Sequence, residues 1–205
     1  MILSTAYFPP CEYFALLARG GEVQIEACES YRKQTWRNRC RILSPNGPLD
    51  LRVPVVHDGE RLVSRIRVDW STPWLRQTEY AIDTAYYSSP FFEYYRDELY
   101  ALLDRRQEFL WDLNLDIIRL MCSKTGIAPR IVPTSDWQER AEEDWREAFS
   151  PKREAPFAVR PYWQVFRDRF GFVPGLSVMD LLFNEGPGSL SCLEVPEGVM
   201  PPAAR

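Results

Sequence analysis

The residues best suited to chemistry lie in one short basic stretch, residues 31–41, with the sequence YRKQTWRNRCR. The stretch combines five cations with two amide and two aromatic side chains. Guanidinium groups match carboxylate and phosphate groups with paired hydrogen bonds, and amides bind hydroxyls. We therefore expect one wall of a pocket for a small anionic or sugar-containing ligand. The candidate residues are Lys33, Gln34, Trp36, Arg37, Asn38, Arg39 and Arg41. The alternative is an exposed strand whose arginines pair with surface carboxylates.

Three further places carry polar side chains suited to the same pocket. They are the loop after the first predicted strand, a break between two helices, and the loop after the last helix. The candidates there are Ser4, Thr5 and Tyr7, then Ser88 and Ser89, and then Glu185. Each place also has a structural interpretation, as a packing corner, a helix cap and a helix end respectively. The sequence assigns no catalytic base, and the only carboxylates in suitable positions are Glu26, Glu29 and Glu185.

The sequence lacks the patterns of several common catalytic and metal sites. His57 is the only histidine and falls in a Val-His-Asp-Gly turn, which argues against a Ser-His-Asp triad and a histidine metal site. None of the five cysteines forms a Cys-x-x-Cys pair, and there is no glycine-rich phosphate loop. Cys40 lies between two arginines, so it is either a nucleophile of lowered pKa or a buried residue on the apolar face of a strand.

The composition favours a soluble cytoplasmic protein that does not bind nucleic acid. The 205 residues carry a net charge of −4, whereas nucleic-acid binding usually needs a basic footprint. No stretch approaches 18 apolar residues, so no membrane span is expected. The first residues lack the basic region of a signal peptide, and we therefore expect reduced thiols. No pattern assigns a cofactor or an oligomeric state.

The elements that must position these residues begin with a strand–helix–strand unit. Residues 2–6 predict a buried strand, residues 11–19 a helix that ends at Gly20-Gly21, and residues 23–27 a second strand. In such a βαβ unit the loop after the first strand lies at the carboxyl edge of the sheet, where open α/β proteins bind ligands.

The middle of the chain predicts a hairpin and then a series of helices. The hairpin arms are residues 38–43 and 49–56, with Arg37, Arg39 and Arg41 on one face, and residues 62–68 predict a third strand. The predicted helices span residues 74–87, 91–104, 108–124, 136–149 and 178–183, with a short parallel strand at 131–133. We expect an α/β fold with a βαβ start, a mixed sheet that contains the hairpin and a helical C-terminal half. Residues 1–195 would form one domain and residues 196–205 a mobile tail.

Two blocks of the sequence resemble the signature blocks of the WbqC-like family. They are TAYFPPCEYF at residues 5–14 and KQTWRNRCRI at residues 33–42. Further agreement comes from Asn46-Gly47 before LRVPV, the helix that starts at Trp74, and residues 86–95, 112–114, 160–166 and 180–187. The resemblance covers most of residues 1–193, in the order and spacing of the family.

The resemblance implies a biological process in which the protein takes part, but it does not specify a chemical reaction. The family's name links it to bacterial O-antigen and surface-polysaccharide gene clusters. On that ground we expect a transferase of surface-polysaccharide biosynthesis that binds an anionic activated donor. The alternative is a non-catalytic adaptor that recognises a glycan intermediate or a protein partner with the same basic and aromatic surface.

Overall fold

The computed structural model describes residues 1–139 and 141–202. The strands are β1 (Ile2–Ser4), β2 (Glu22–Glu26), β3 (Arg39–Ser44), β4 (Gly47–Arg52) and β5 (Arg130–Pro133). The helices are α1 (Cys11–Ala18), α2 (Trp74–Tyr86), α3 (Phe92–Leu103), α4 (Leu110–Thr125), α5 (Arg167–Phe170) and α6 (Val178–Glu185). Short 3-10 turns occupy Trp36–Asn38, Val63–Arg65 and Gly186–Cys192. The predicted α/β class is confirmed.

A three-stranded parallel sheet holds the start of the chain. The strand order is β1-β2-β5, with β2 in the centre, so the predicted βαβ unit and the short parallel strand at 131–133 are both present. α1 crosses between β1 and β2 and is buried over residues 11–17, because apolar side chains occupy almost all of its surface. Because the three strands are parallel, their carboxyl ends lie on the same side of the sheet, at Ser4, Glu26 and Pro133.

The outer edge of β1 is also paired, although with an irregular segment. The amide of Ile2 donates to the carbonyl of Glu143, and the amide of Trp145 donates back to the carbonyl of Ile2, both over 2.9 Å. The indole of Trp145 is completely buried beside this bridge. Residues 143–145 thus lie along β1 as a short extended partner.

β3 and β4 form the predicted hairpin, as a separate two-stranded antiparallel sheet. Ser44 pairs with Gly47 across a two-residue turn, and Gly47 has a φ of 106°, which favours glycine. Cys40 and Ile42 are buried, whereas Arg39 and Arg41 lie on the outer face. Arg37, expected on that same face, instead lies in the 3-10 turn before β3, and its side chain is buried.

The helices follow the periodicity of the sequence closely. α2, α3, α4 and α6 all lie within two residues of the predicted starts and ends. α4 ends at Gly126, whose φ of 77° places it in the left-handed conformation that commonly terminates helices. The apolar faces of these helices join β1, β2 and the hairpin in one hydrophobic core.

Two predicted elements were wrong. Residues 62–68 form a 3-10 turn with single bridges to three different segments, at Ser30, Val55 and Phe109, because no continuous strand lies alongside them. Residues 136–149 contain no helix in the part that the structure describes, which leaves out residue 140, because residues 143–145 bond to β1 instead. Of the predicted tail, residues 203–205 lie outside the described residues, and the domain boundary at 195 stays a prediction.

Candidate functional site

A pocket of about 590 Å³ lies beside the loop that follows β1. Ligand pockets for small molecules commonly span about 300–1,000 Å³, so its size suits a small ligand. Its walls come from four parts of the chain: Pro10 and Glu12, Trp36 and Arg41, residues 149–158, and Pro174-Gly175. A cleft of about 780 Å³ at the opposite, amino ends of β1 and β2 is lined by none of the residues that the sequence singles out.

The wall formed by residues 149–158 is fixed at both ends by aromatic packing. Phe149 and Phe157 both pack on the buried Trp145, with ring centroids 6.4 Å from it in each case. The exposed residues between these two rings include Lys152 and Arg153. Two cations are thus carried on a short charged wall whose ends are anchored in the core.

Glu12 adds a buried carboxyl group to the lining of this pocket. It lies in the first turn of α1 with 1% of its surface exposed. Its Oε1 accepts a hydrogen bond of 3.2 Å from the amide of Gly175, whereas its Oε2 is buried and has no partner among the described residues. Burial raises the pKa of this carboxyl above its usual range, because the charged form loses solvation. Buried polar atoms without partners are rare in folded proteins, so this oxygen is a candidate for ligand binding.

Trp36 and Arg41 form the aromatic and basic rim of the pocket. The Arg41 guanidinium carbon lies 5.4 Å from the centre of the Trp36 ring, in cation–π contact. Arg41 also binds Asp50 through two hydrogen bonds, of 2.7 and 3.2 Å. This pair fixes the guanidinium at the rim and compensates part of its charge.

A second, inner cavity of about 20 Å³ lies at the carboxyl end of β1. Trp36 and Phe149 line both cavities and therefore stand between them. The inner walls include Ser4, Thr5 and Arg37, which the sequence assigns to the ligand site. A space of this size holds about one water molecule, so of the two cavities only the larger has room for an organic molecule.

Arg37 is bound by protein groups and does not line the larger pocket. Its Nε donates to Glu29 Oε1 over 2.8 Å and its Nη2 donates to Ser4 Oγ over 2.9 Å. Its backbone carbonyl accepts a hydrogen bond of 2.8 Å from Asn114. Arg37 therefore joins the basic stretch to β1 and to α4.

Glu26 is paired in a similar way at the end of β2. Its carboxylate accepts hydrogen bonds from Arg146 Nη1 over 2.9 Å, from the Thr134 hydroxyl over 2.7 Å and from the Cys28 amide over 2.8 Å. Two of the three carboxylates considered as a catalytic base, Glu26 and Glu29, thus each hold a buried arginine. Both carboxylates are engaged by protein groups, and neither lines the larger pocket.

Several other candidates lie away from the pocket. Tyr7, a candidate from the loop after β1, is completely buried and has no exposed ring face. Asn38 is buried and donates to the carbonyl of Val53 over 2.8 Å. Lys33 and Gln34 are exposed in the loop before Trp36, and Arg39 lies half-buried on the outer face of the hairpin.

The candidates from the later part of the chain do not join the basic stretch. Ser88 is exposed, and Ser89 is buried against Asn184 through a hydrogen bond of 3.2 Å. Glu185 accepts from the amide of Trp163 and lines a separate cleft of about 450 Å³. The structure thus groups Trp36 and Arg41 at the large pocket and Ser4, Thr5 and Arg37 behind it.

Sequence reasoning missed Glu12 as a site residue. The signal was a single carboxylate inside the otherwise apolar helix CEYFALLA, directly after Pro9-Pro10. Such a residue must be buried when the whole helix is buried, and a buried carboxyl needs a physical reason.

Over residues 1–139 and 141–202, no group of three or more His, Cys, Asp or Glu side chains is arranged to hold a metal ion. None of the helices described is both long enough and apolar enough to cross a bilayer.

Comparisons with known proteins identify the family of the chain. The model of the WbqC-like protein family matches residues 5–155, which include both sequence blocks, α1, the hairpin and the start of the charged wall. An uncharacterised Mycobacterium tuberculosis protein, Rv1507c, is 28% identical over 216 residues, which cover 90% of this chain and 93% of the relative. No solved structure matches the chain. Because the family match extends over well over half of the sequence, the chain belongs to the WbqC-like protein family.

Proposed function

We propose that the chain is a transferase of surface-polysaccharide biosynthesis that binds an anionic activated donor in the 590 Å³ pocket. The observation that carries this proposal is the buried Glu12 carboxyl, with one unpartnered oxygen, in a pocket that also holds cations. The pathway rests on the family's name, which is associated with O-antigen and surface-polysaccharide gene clusters.

The cations favour an anionic donor. Lys152 and Arg153 stand on the charged wall, and neither forms an ion pair with a carboxylate in the described part of the chain. Arg41 adds a third cation at the rim, where it lies over the Trp36 ring. A phosphate or carboxylate leaving group would gain charge-assisted hydrogen bonds there.

Glu12 supplies the proton acceptor that such a reaction needs. A hydroxyl or amine of the acceptor attacks the transferred glycosyl or acyl group and loses its proton to the Glu12 carboxylate. The bond to the donor's phosphate or carrier breaks, and the leaving group departs with its electron pair towards the cations. Because burial raises the pKa of Glu12, its conjugate acid is weaker and the carboxylate a stronger base than usual.

A ligand screen followed by one substitution tests this proposal. A thermal-shift screen first tests nucleotide sugars, acyl donors and sugar phosphates. A ligand present at one hundred times its Kd stabilises the folded protein by about 2.7 kcal/mol, which such a screen detects. Turnover of any stabilising donor is then compared between the native protein and Glu12→Gln, which keeps the shape and the acceptor for Gly175. Loss of a general base costs about 100-fold or more in rate.

Glu154→Gln is the matched control, because Glu154 lines the same pocket but is exposed. We expect this variant to retain turnover, and Glu12→Gln to retain the ligand-induced thermal shift. Native turnover in Glu12→Gln, or no thermal shift with any of the three ligand classes, would overturn the proposal. Binding of a donor without turnover in the native protein would instead identify a non-catalytic binding protein.

A further inference from the structure

Two arginines face each other on the outer side of the hairpin. Arg39 of β3 pairs directly with Arg52 of β4. The amide of Val53 donates to the carbonyl of Asn38, so the adjacent pair of residues is hydrogen-bonded, and Arg39 and Arg52 fall in a non-hydrogen-bonded position. Opposed side chains are closest in such positions, with Cα atoms about 4.5 Å apart. The hairpin therefore holds two like charges together, which is normally unfavourable.

No carboxylate compensates these two charges in the described part of the chain. Neither Arg39 nor Arg52 forms an ion pair there, whereas the next pair on the same face of the hairpin, Arg41 with Asp50, is an arginine–carboxylate pair. Nε of Arg39 is moreover buried, and it has no acceptor among the described residues. A buried guanidinium donor next to a second cation is an arrangement that an anion stabilises.

This pair of arginines continues the rim of the pocket. Arg39 and Arg41 are two residues apart on the same face of β3, which corresponds to about 7 Å along the strand. Arg41 lines the pocket, but neither Arg39 nor Arg52 does. Two linked phosphoryl groups could therefore contact the rim arginine and the facing pair together.

We propose that Arg39 and Arg52 form a subsite for the diphosphate of the activated donor, whose transferred group lies in the adjacent pocket. The inference rests on the proposed function, and it narrows the donor to a diphosphate ester. Guanidinium groups bind phosphoryl oxygens with paired hydrogen bonds, and the facing arrangement places two of them on one ligand.

Inorganic pyrophosphate is the probe for this subsite. Its binding at low ionic strength is measured by isothermal titration calorimetry for the native protein, Arg52→Gln, Arg52→Lys and Arg119→Gln. Arg119 is an exposed residue of α4, so Arg119→Gln controls for the loss of one positive charge. We expect Arg52→Gln to weaken binding about tenfold or more, Arg52→Lys to weaken it less, and Arg119→Gln to change it by less than about twofold.

The ligand-free stability provides a second readout. Arg52→Gln relieves the repulsion between facing cations, so its melting temperature without ligand is expected to equal or exceed that of the native protein. Loss of pyrophosphate binding in a fold of undiminished stability supports the subsite. Absence of pyrophosphate binding in the native protein, native affinity in Arg52→Gln, or an equal loss in Arg119→Gln overturns it.

Failure of the subsite and failure of the proposed function give different results. Glu12→Gln is expected to bind pyrophosphate as the native protein does, because Glu12 is not in the subsite. Loss of turnover in Glu12→Gln with native pyrophosphate binding in Arg52→Gln would reject the subsite alone. A donor that is turned over equally by the native protein and Glu12→Gln, with weaker pyrophosphate binding in Arg52→Gln, would reject the role of Glu12 alone. A single-stranded oligonucleotide that displaces pyrophosphate more strongly than diphosphate esters do would overturn the small-molecule assignment.

Discussion

Arg37 and Glu29 form a buried ion pair joined by two hydrogen bonds. Nε of Arg37 donates to Oε1 of Glu29 over 2.8 Å, and Nη2 donates to Oε2. Only 5% and 6% of the two side chains are exposed, so both charges depend on each other for solvation. The Ser4 hydroxyl adds a third contact from β1. The most buried arginine of the basic stretch thus serves the architecture of the site.

We expect Glu29→Ala to destabilise the protein by about 3–5 kcal/mol, because it leaves the buried Arg37 cation without its partner. Urea denaturation measures the change. Arg32→Ala is the comparison, since the Arg32–Glu147 pair is exposed on both sides and should contribute about 0–1 kcal/mol. Similar losses in the two variants would contradict the buried ion pair.

Asp180 makes the stability depend on pH. This buried carboxyl accepts hydrogen bonds from Tyr162 over 2.7 Å and from Tyr86 over 2.9 Å, and burial raises its pKa to about 6. The folded protein therefore binds more protons than the unfolded chain between about pH 4 and pH 6. The stabilisation is complete below about pH 4 and is lost as the pH rises through 6, by an amount on the order of 3 kcal/mol.

The Asp180→Asn variant isolates this contribution, because asparagine does not titrate. We expect the difference in unfolding free energy between the native protein and Asp180→Asn to fall as the pH rises from 4 to 7. Urea unfolding at each pH measures it. A difference that stays constant with pH would show that Asp180 has the same pKa in the folded and unfolded states.

Gly186 lies where a side chain has no room. A Cβ at this position would lie 2.5 Å from two atoms of the Phe91 ring, and the φ of 52° is unfavourable for other residues. Gly126→Ala is the matched control, since its φ is also positive but nothing lies within 4 Å of its Cβ. We expect Gly186→Ala to lose about 1–3 kcal/mol more stability than Gly126→Ala, as measured by thermal unfolding. Equal losses would mean that the Phe91 ring moves aside without cost.

Cys40 is expected to be unreactive in the folded protein. It is 1% exposed, and burial raises the pKa of its thiol well above the usual value, which disfavours the nucleophilic thiolate. Alkylation with iodoacetamide, read by mass spectrometry, should modify the half-buried Cys28 before Cys40, and Cys40 only in urea. Faster labelling of Cys40 than of Cys28 in the native state would revive the hypothesis that it is a nucleophile.

The local elements could be predicted because their patterns are local. α1 is a short apolar run closed by two glycines, and α4 combines helical periodicity with Gly126. The prediction of a helix at residues 136–149 was wrong, because their charged side chains are typical of a solvated helix. Their conformation depends instead on the pairing with Ile2, more than 140 residues away. The prediction of a strand at residues 62–68 was wrong, because alternation of apolar and polar residues leads to a strand only where a partner strand is present.

Only part of the candidate site could be predicted from the sequence, for the same reason. The basic stretch does contribute Trp36 and Arg41 to the pocket. The sequence could not show that Glu29 would pair with Arg37, or that Glu12 would line one pocket with residues 149–158, because both facts depend on packing between distant segments. Side-chain type indicated which groups could bind an anion, and tertiary contacts decided which of them are accessible.

The bridge between Ile2 and residues 143–145 has a consequence for synthesis. Chains are made from the N-terminus, so the outer edge of β1 stays unpaired on the ribosome until Trp145 has emerged. Unpaired strand edges are templates for association between chains. Slow translation before residue 143 would therefore lengthen the time during which the nascent βαβ unit can associate with other chains through this edge.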